Sequence, residues 1–387
     1  IPPGGGPVTP LESIPADCRP TPLEILLLRA ALLRGDAALG AWDAWRTRAS
    51  RPLRVGSSRL LPAVYLNLRD VAPEDPWLDF ARTEYLRARY SNLLRFDDAA
   101  PVLGALGESG VAVLLLKGAA LVAAHHGDPG LRPMVDLDVM VKEEDAERAI
   151  AILLGRGYAP AAPVDAAARA IVHSVPFTRQ GAPPFDLHWR AFELEEDRAI
   201  WDSAAEMTYQ GVTVRVPGPA DQLLHACVSG SSWDWDAPQR WVLDAMAVVR
   251  SSGDRLDWGA LVARAIALRL STSVHDALRF LREEFGAAIP GQALSALAAA
   301  PTTRRERHAA RARRTRPDLR GPLMAIALRL DEHHRLVRRG AGPGGARGLL
   351  QVWRRSWDLP GLWLLPVHAA VRGARRALQL ARHRLRS

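Results

Sequence analysis

Apolar residues recur every three or four positions over 22–34 (PLEILLLRAALLR), and leucines and aromatics keep that spacing through 60–68 and 76–106. The first hundred residues therefore predict helices. The pattern breaks at 111–116 (VAVLLL), a short β-rich apolar run that reads as a buried strand. Lys117-Gly118 ends it, 119–126 reads as a short helix, and 127–133 (GDPGLRP) is a loop by its glycine and proline content. Over 134–141 (MVDLDVMV) apolar and acidic residues alternate with the period of a strand. A helix follows at 143–156, closed by Gly157, then strands at 170–178 and 185–189 and a hairpin over 207–216 around Gln210-Gly211. After Pro219 helical spacing returns over 219–230, 238–251, 257–269 and 272–285, with Asp257 and Ser271 at N-cap positions. The chain thus predicts an α+β fold. It has an N-terminal helical region (1–107), an α/β core (108–217), a C-terminal helical region (218–300) and a basic helical tail (301–387).

Composition adds one feature, an uneven charge. The net +9 conceals a tail of 21 arginines against 5 acids over 301–387, which leaves 30 basic and 37 acidic residues elsewhere. Such a tail suits nucleic acid, an anionic membrane surface or an acidic partner, or is a solvated arginine-rich face. Lysine is nearly absent. Cys18 and Cys227 show no zinc-ligand or redox spacing and read as structural thiols of a cytoplasmic protein. No apolar run is long enough for a transmembrane helix, and residues 1–10 lack the basic start and apolar centre of a signal peptide. Gly340 to Gly348 (GAGPGGARG) reads as a flexible linker, with no Walker or dinucleotide fingerprint anywhere in the chain.

The candidate chemistry centres on 114–141. Asp136 and Asp138, two apart on the expected strand, would share one face. Two carboxylates that close repel unless a cation lies between them, and oxygen ligands suit magnesium. Asp186, in FDLHW, is the third acid, and three carboxylates can hold the two metals used for in-line attack at phosphorus. Gly118 at a helix start lets backbone approach an anion, and Lys117 would neutralise phosphate charge or pair with an acid, Asp138 itself being a candidate. Arg132 reads as a second phosphate contact or as a brace for the acidic strand. His188, on the face of Asp186, reads as a hydrogen-bonded core histidine or an acceptor-binding group. Trp233, Trp235 and Trp241 read as core packing, and Arg240-Trp241 with Asp244 as a lock between helices.

LLLKGAAL, RPMVDLDVMV, a helix ending in GRGY, and FDLHW together resemble the bacterial uncharacterised nucleotidyltransferases of the polymerase-β-like superfamily. LLH at 223–225 and Arg240-Trp241 with Asp244 resemble the helical part that follows the core in that family. The resemblance spans roughly residues 25–290 and leaves the basic tail uncovered. It implies a small mixed-sheet nucleotidyltransferase core that transfers a nucleoside monophosphate from an NTP, ATP by default, and releases pyrophosphate. Asp136 and Asp138 would hold two Mg2+ ions, and Asp186 would complete the acceptor-side metal and help deprotonate the acceptor. Gly118, Lys117, Arg132 and His188 would contact the nucleotide. The acceptor would be a small molecule, saccharide or peptide, in keeping with the family's association with polysaccharide and modified-peptide gene clusters. Where the superfamily turn carries a serine, Lys117-Gly118-Ala119 has no hydroxyl. The alternatives are a toxin-like or tRNA-modifying transferase that binds RNA through its tail, phosphoryl transfer on the same fold, and a non-catalytic binding protein.

Overall fold

Short apolar runs, each too brief to stand alone, combine into one mixed sheet of seven strands among the described residues. The computed structural model describes residues 18–371, apart from 50–52, 73, 171, 192–197, 210, 233–238, 321, 339–343, 357–358 and 369. The strands are β1 (Leu114–Leu115), β2 (Leu137–Met140), β3 (Ala159–Pro160), β4 (Ser174–Thr178), β5 (Phe185–His188), β6 (Ala205–Tyr209) and β7 (Val212–Val216). Their order is β3-β4-β5-β2-β1-β7-β6. β2 and β5 run parallel at the centre, while β1 lies antiparallel to β2 and parallel to β7.

The alternation of side chains divides the sheet into two faces. Leu115, Leu137, Val139, Phe185 and Leu187 join a core with Phe96, Leu103 and Leu106 of the helix Pro76–Glu108 and with Ala149 and Leu153 of the helix Ala146–Gly155. Leu114, Leu116 and Met140 point the other way. They pack with Leu223, Leu224 and Trp241, from the helices Pro219–Ser229 and Trp241–Ser252. Asp138, Asp186 and His188 fall on this second face by the same alternation.

The 33-residue helix Pro76–Glu108 organises the approach to that face. Asp75 caps its start through the Trp77 N–H, and Pro76 takes the first turn, where no N–H is needed. One side of the helix carries a polar stripe at Tyr85, Arg89, Asn92 and Arg95, residues spaced to lie one above another. Tyr85 and Arg89 donate to Asp128 at 2.8 and 3.0 Å, Asn92 donates to the Pro129 and Arg132 carbonyls, and Arg95 donates to that of Val135. The whole connection from Asp128 to Val135 is thereby tied to one rigid helix.

Several boundaries differ from the sequence reading. Within the run 111–116 the strand is Leu114–Leu115, with the Val113 carbonyl and the Leu116 N–H also bonded to its neighbours, and the acidic strand starts at Leu137, not at 134. The helix after Lys117-Gly118 begins at Lys117 and continues as a π-turn over Val122–His126. Asp257 caps its helix through the Ala260 N–H, whereas Ser271 is the first helical residue and buried, the cap falling at Leu270. The hairpin forms as expected with Gly211 at φ 78°, and Gln210 lies outside the described residues. Trp233 and Trp235 also lie outside them, as does the linker up to residue 343. Cys18 and Cys227 are buried free thiols. No helix among the described residues is long and apolar enough to cross a membrane.

The chain forms two compact units, residues 1–320 and 321–387. The second contains the helices Pro322–Arg338 and Gly345–Ser356.

Asn92 is fully buried and its amide bonds two carbonyls of the loop, at 2.6 and 2.8 Å. Asn92→Ala leaves both buried acceptors unpaired, so urea unfolding should show a loss of about 2–4 kcal/mol. A loss below about 0.5 kcal/mol would mean that the helix does not anchor the loop.

Candidate functional site

The parallel register of β2 and β5 sets Asp138 beside Asp186 and Met140 beside His188. Two carboxylates are thus held side by side on one face. The His188 Nε2 lies 3.0 Å from Asp138 Oδ1 and 3.0 Å from Asp186 Oδ2, and Ser174 on β4 donates to the same Asp186 oxygen at 3.3 Å. Lys117 Nζ meets Asp138 Oδ1 at 2.5 Å. Burial opposes the charge on Asp138, but the hydrogen bond from His188 and the charge of Lys117 outweigh it and hold its carboxyl well below the usual carboxylate range. Burial likewise opposes charge on His188 and Lys117, yet the acids they face raise both above their ordinary values. His188 is therefore part of the acid cluster.

Lys117 reaches Asp138 from a strained backbone, φ 44°, at the turn that closes β1. A non-glycine residue in the left-handed region costs about 1–2 kcal/mol, which the surrounding packing must supply. Gly118 has a separate reason: a Cβ there would collide with the Arg132 guanidinium and with Met134. Backbone and guanidinium approach each other more closely than any side chain allows.

Asp136 does not share a strand with Asp138, because the strand begins one residue after it; it sits half-buried in the bend before β2. Burial first, then repulsion from Asp138, raises its carboxyl above the ordinary range. It borders the cluster without joining the three ligand atoms that converge.

Arg132 is buried and donates two near-parallel bonds to Asp244, at 2.9 and 3.0 Å. This is the bracing role. His126 Nε2 lies 3.6 Å from the same carboxylate, and Arg240 donates to the Pro133 carbonyl. Burial opposes the Asp244 charge, but Arg132, His126 and Arg240 overcome it and hold the carboxyl well below its usual range.

Beside Lys117 and Arg132 opens a cavity of about 280 Å³, lined also by Arg59, Gln222, His225, Gln239 and Trp241. Burial first, then Lys117, pushes His225 down to about 3, so it is neutral there. Sequence reasoning singled out His225 as a point of resemblance, and read Arg240-Trp241 both as one and as part of a lock between helices. It missed Arg59, Gln222 and Gln239, which carry no local motif and meet only in the fold.

Among the described residues, one ligand atom each from Asp138, Asp186 and His188 lies within 4.8 Å of the others. Asp186 Oδ1 is buried with no hydrogen-bond partner. Two carboxylates with an unsatisfied oxygen fit a hard divalent cation. Lys117 stands on one of the oxygens that such a cation would use. Its side chain as a whole is 35% exposed.

The model of the family described as uncharacterised nucleotidyltransferase matches residues 55–286, more than half of the chain, and the chain belongs to that family of transferases. Two solved structures are similar over short alignments. One is the solution structure of the antibiotic-resistance factor ANT(2'')-Ia, 16% identical, covering 51% of this chain and 95% of that one at a TM-score of 0.33. The other is an antigenic nucleotidyltransferase-like protein from Paracoccidioides brasiliensis, 15% identical, covering 54% and 96% at a TM-score of 0.34. Comparison with curated proteins gives no match.

Asp244 is depressed in the folded state, so its contribution is complete above the unfolded carboxylate value, about 4, and fades as pH falls below it. Asp244→Asn should cost about 3–5 kcal/mol at pH 7 by stranding the Arg132 charge. It should also make stability between pH 4 and 3 less steeply dependent on pH, as followed by urea unfolding at each pH. An unchanged acid limb would show that the pair does not hold the loop.

Proposed function

We propose that this member of the family transfers a nucleoside monophosphate from a Mg2+-bound NTP, ATP by default, to a hydroxyl, phosphate or amine of a small molecule, saccharide or peptide. The observation that supports this most is the pair Asp138 and Asp186 on adjacent parallel strands, with the turn lysine on Asp138. A divalent ion held there would neutralise charge on the phosphates and on the attacking oxygen. Asp138 and Asp186 are the residues that would hold it. Asp136, in the bend beside them, is the third carboxylate available if a second ion enters.

The acceptor's oxygen or nitrogen forms a bond to the α-phosphorus while the bond from that phosphorus to the bridging oxygen of pyrophosphate breaks. Asp186 helps to take up the acceptor's proton as that bond forms. His188 fixes both carboxylates at one spacing. Lys117, displaced from Asp138, moves its charge onto the phosphates. Gly118 keeps the turn open against Arg132, and Arg132 with Asp244 holds the wall of the cleft. Catalysis of this kind is positioning and charge neutralisation.

The turn Lys117-Gly118-Ala119 offers no hydroxyl to a phosphate, and this favours a second reading, phosphoryl transfer from the same site. The two differ in product. ATP labelled at the α-phosphate marks the acceptor in nucleotidyl transfer, and ATP labelled at the γ-phosphate marks it in phosphoryl transfer.

Calorimetry of single NTPs with Mg2+ should show one metal-dependent site in the wild type. Asp136→Ala/Asp138→Ala should weaken that binding by about 100-fold or more, since several kcal/mol of charge stabilisation vanish. An intact NTP affinity in the double variant would place the nucleotide elsewhere.

A further inference from the structure

The cavity beside Lys117 contains more unsatisfied chemistry than a packing defect would. Gln239 is 1% exposed, and neither its amide oxygen nor its nitrogen has a hydrogen-bond partner. Gln222 is fixed by donating to the Pro217 carbonyl at 2.8 Å, yet its own oxygen is unpaired, and so is the Trp241 indole N–H. All three residues line the cavity. Buried polar atoms without partners are rare because each loses its water and gains nothing, so several around one space mark a place where a ligand supplies the missing bonds.

Among the described residues, four basic side chains line that space, Arg59, Lys117, Arg132 and Arg240, together with two acids, Asp221 and Asp244. Both acids are already engaged, Asp221 by Arg264 at 3.2 Å and by Ser203, and Asp244 by Arg132. Arg240 donates to the Pro133 carbonyl, but its Nε has no hydrogen-bond partner. Burial and the neighbouring Arg132 push its guanidinium down to about 9, as expected of a cation crowded by another.

We infer that this cavity is the seat of a phosphorylated small molecule, whose anionic end meets Arg59, Lys117 and Arg240 and whose neutral polar end meets Gln222, Gln239 and Trp241. This rests on the reading of the Asp138 cluster as a transferase centre, because Lys117 belongs to both. Two sources carry that chemistry: the NTP donor itself, or a phosphorylated acceptor seated opposite it. The buried amide with a free donor and a free acceptor suits a group that offers both in return, such as a base edge or a sugar with several hydroxyls.

The probe is inorganic pyrophosphate, titrated calorimetrically into the full chain with and without saturating Mg2+ and each NTP. Arg59→Gln removes one of the cations that the anionic end meets. Ser229→Trp fills the cavity from an exposed rim position. Each variant should weaken pyrophosphate binding at least about tenfold with an unchanged melting temperature, and Ser229→Trp decides the matter if Arg59→Gln unfolds. Displacement of pyrophosphate by an NTP assigns the donor, and pyrophosphate that stays bound beside the NTP assigns a phosphorylated acceptor. No pyrophosphate binding by the wild type, or equal binding by both folded variants, overturns the proposal. If the variants bind pyrophosphate like the wild type while Asp138→Asn loses the NTP, the cavity proposal fails and the transferase reading stands. If the variants lose pyrophosphate but the wild type binds no NTP, the cavity is a phosphate site and the transferase reading fails.

Discussion

Repulsion between Asp138 and Asp186 is the constraint on which the rest of this site depends. The register of β2 and β5 places them side by side, and neither strand can slip by one residue without sending Phe185 and Leu187 out of the core. Packing on one face of the sheet therefore enforces a like-charge pair on the other. Something must balance it. In this structure His188 bridges the two carboxylates and Lys117 covers one. A positive charge on either would be costly to bury alone, and each is held by the acids it faces.

The second dependence runs through the connection between Lys117 and β2. That connection has little regular structure, and alone it would not hold the turn at Lys117 in a strained conformation. It is fixed from two sides. The polar stripe of the helix Pro76–Glu108 takes its carbonyls and Asp128, and Asp244 takes Arg132 from the helix Trp241–Ser252. Gly118 then lets the turn settle against the Arg132 guanidinium. The helices before and after the sheet are therefore part of the site's construction, which agrees with the family match running from residue 55 to 286, well beyond the strands.

The periodicities that place β2, β5 and the hairpin were legible because alternation of apolar residues is a local signal, and so was the sharing of one face by Asp186 and His188. Asp186 was expected as the third acid beside Asp138, but their side-by-side register was not legible, since register between strands 48 residues apart is set by packing. Asp136 was misplaced because apolar-acidic alternation continues past the last paired residue, and the sequence contains no sign of where hydrogen bonding stops. The helix Pro76–Glu108 was legible as a helix, but its stripe of Tyr85, Arg89, Asn92 and Arg95 was hidden. Polar residues at helical spacing look like a solvent face, and only the loop lying on them turns them into an anchor. Gln239 was silent for the same reason: a buried glutamine acquires meaning from the absence of partners, a property of the fold.

Lysine at 117 is itself informative in a chain whose only other lysine is Lys142, all remaining basic residues being arginine or histidine. Arginine would suit a permanent brace, as Arg132 does with two parallel bonds to Asp244. A planar fork would lock onto Asp138 in the same way and resist displacement. An ammonium on a flexible stem makes one strong contact, keeps a third of its surface in solvent, and can turn from the carboxylate toward an incoming anion. The backbone strain at Lys117 acts in the same direction, since it fixes where the stem starts and leaves the ammonium as the mobile part. A residue held at its root and bonded at its tip by a single contact, standing between an acid pair and a basic cavity, is suited to exchanging one partner for the other.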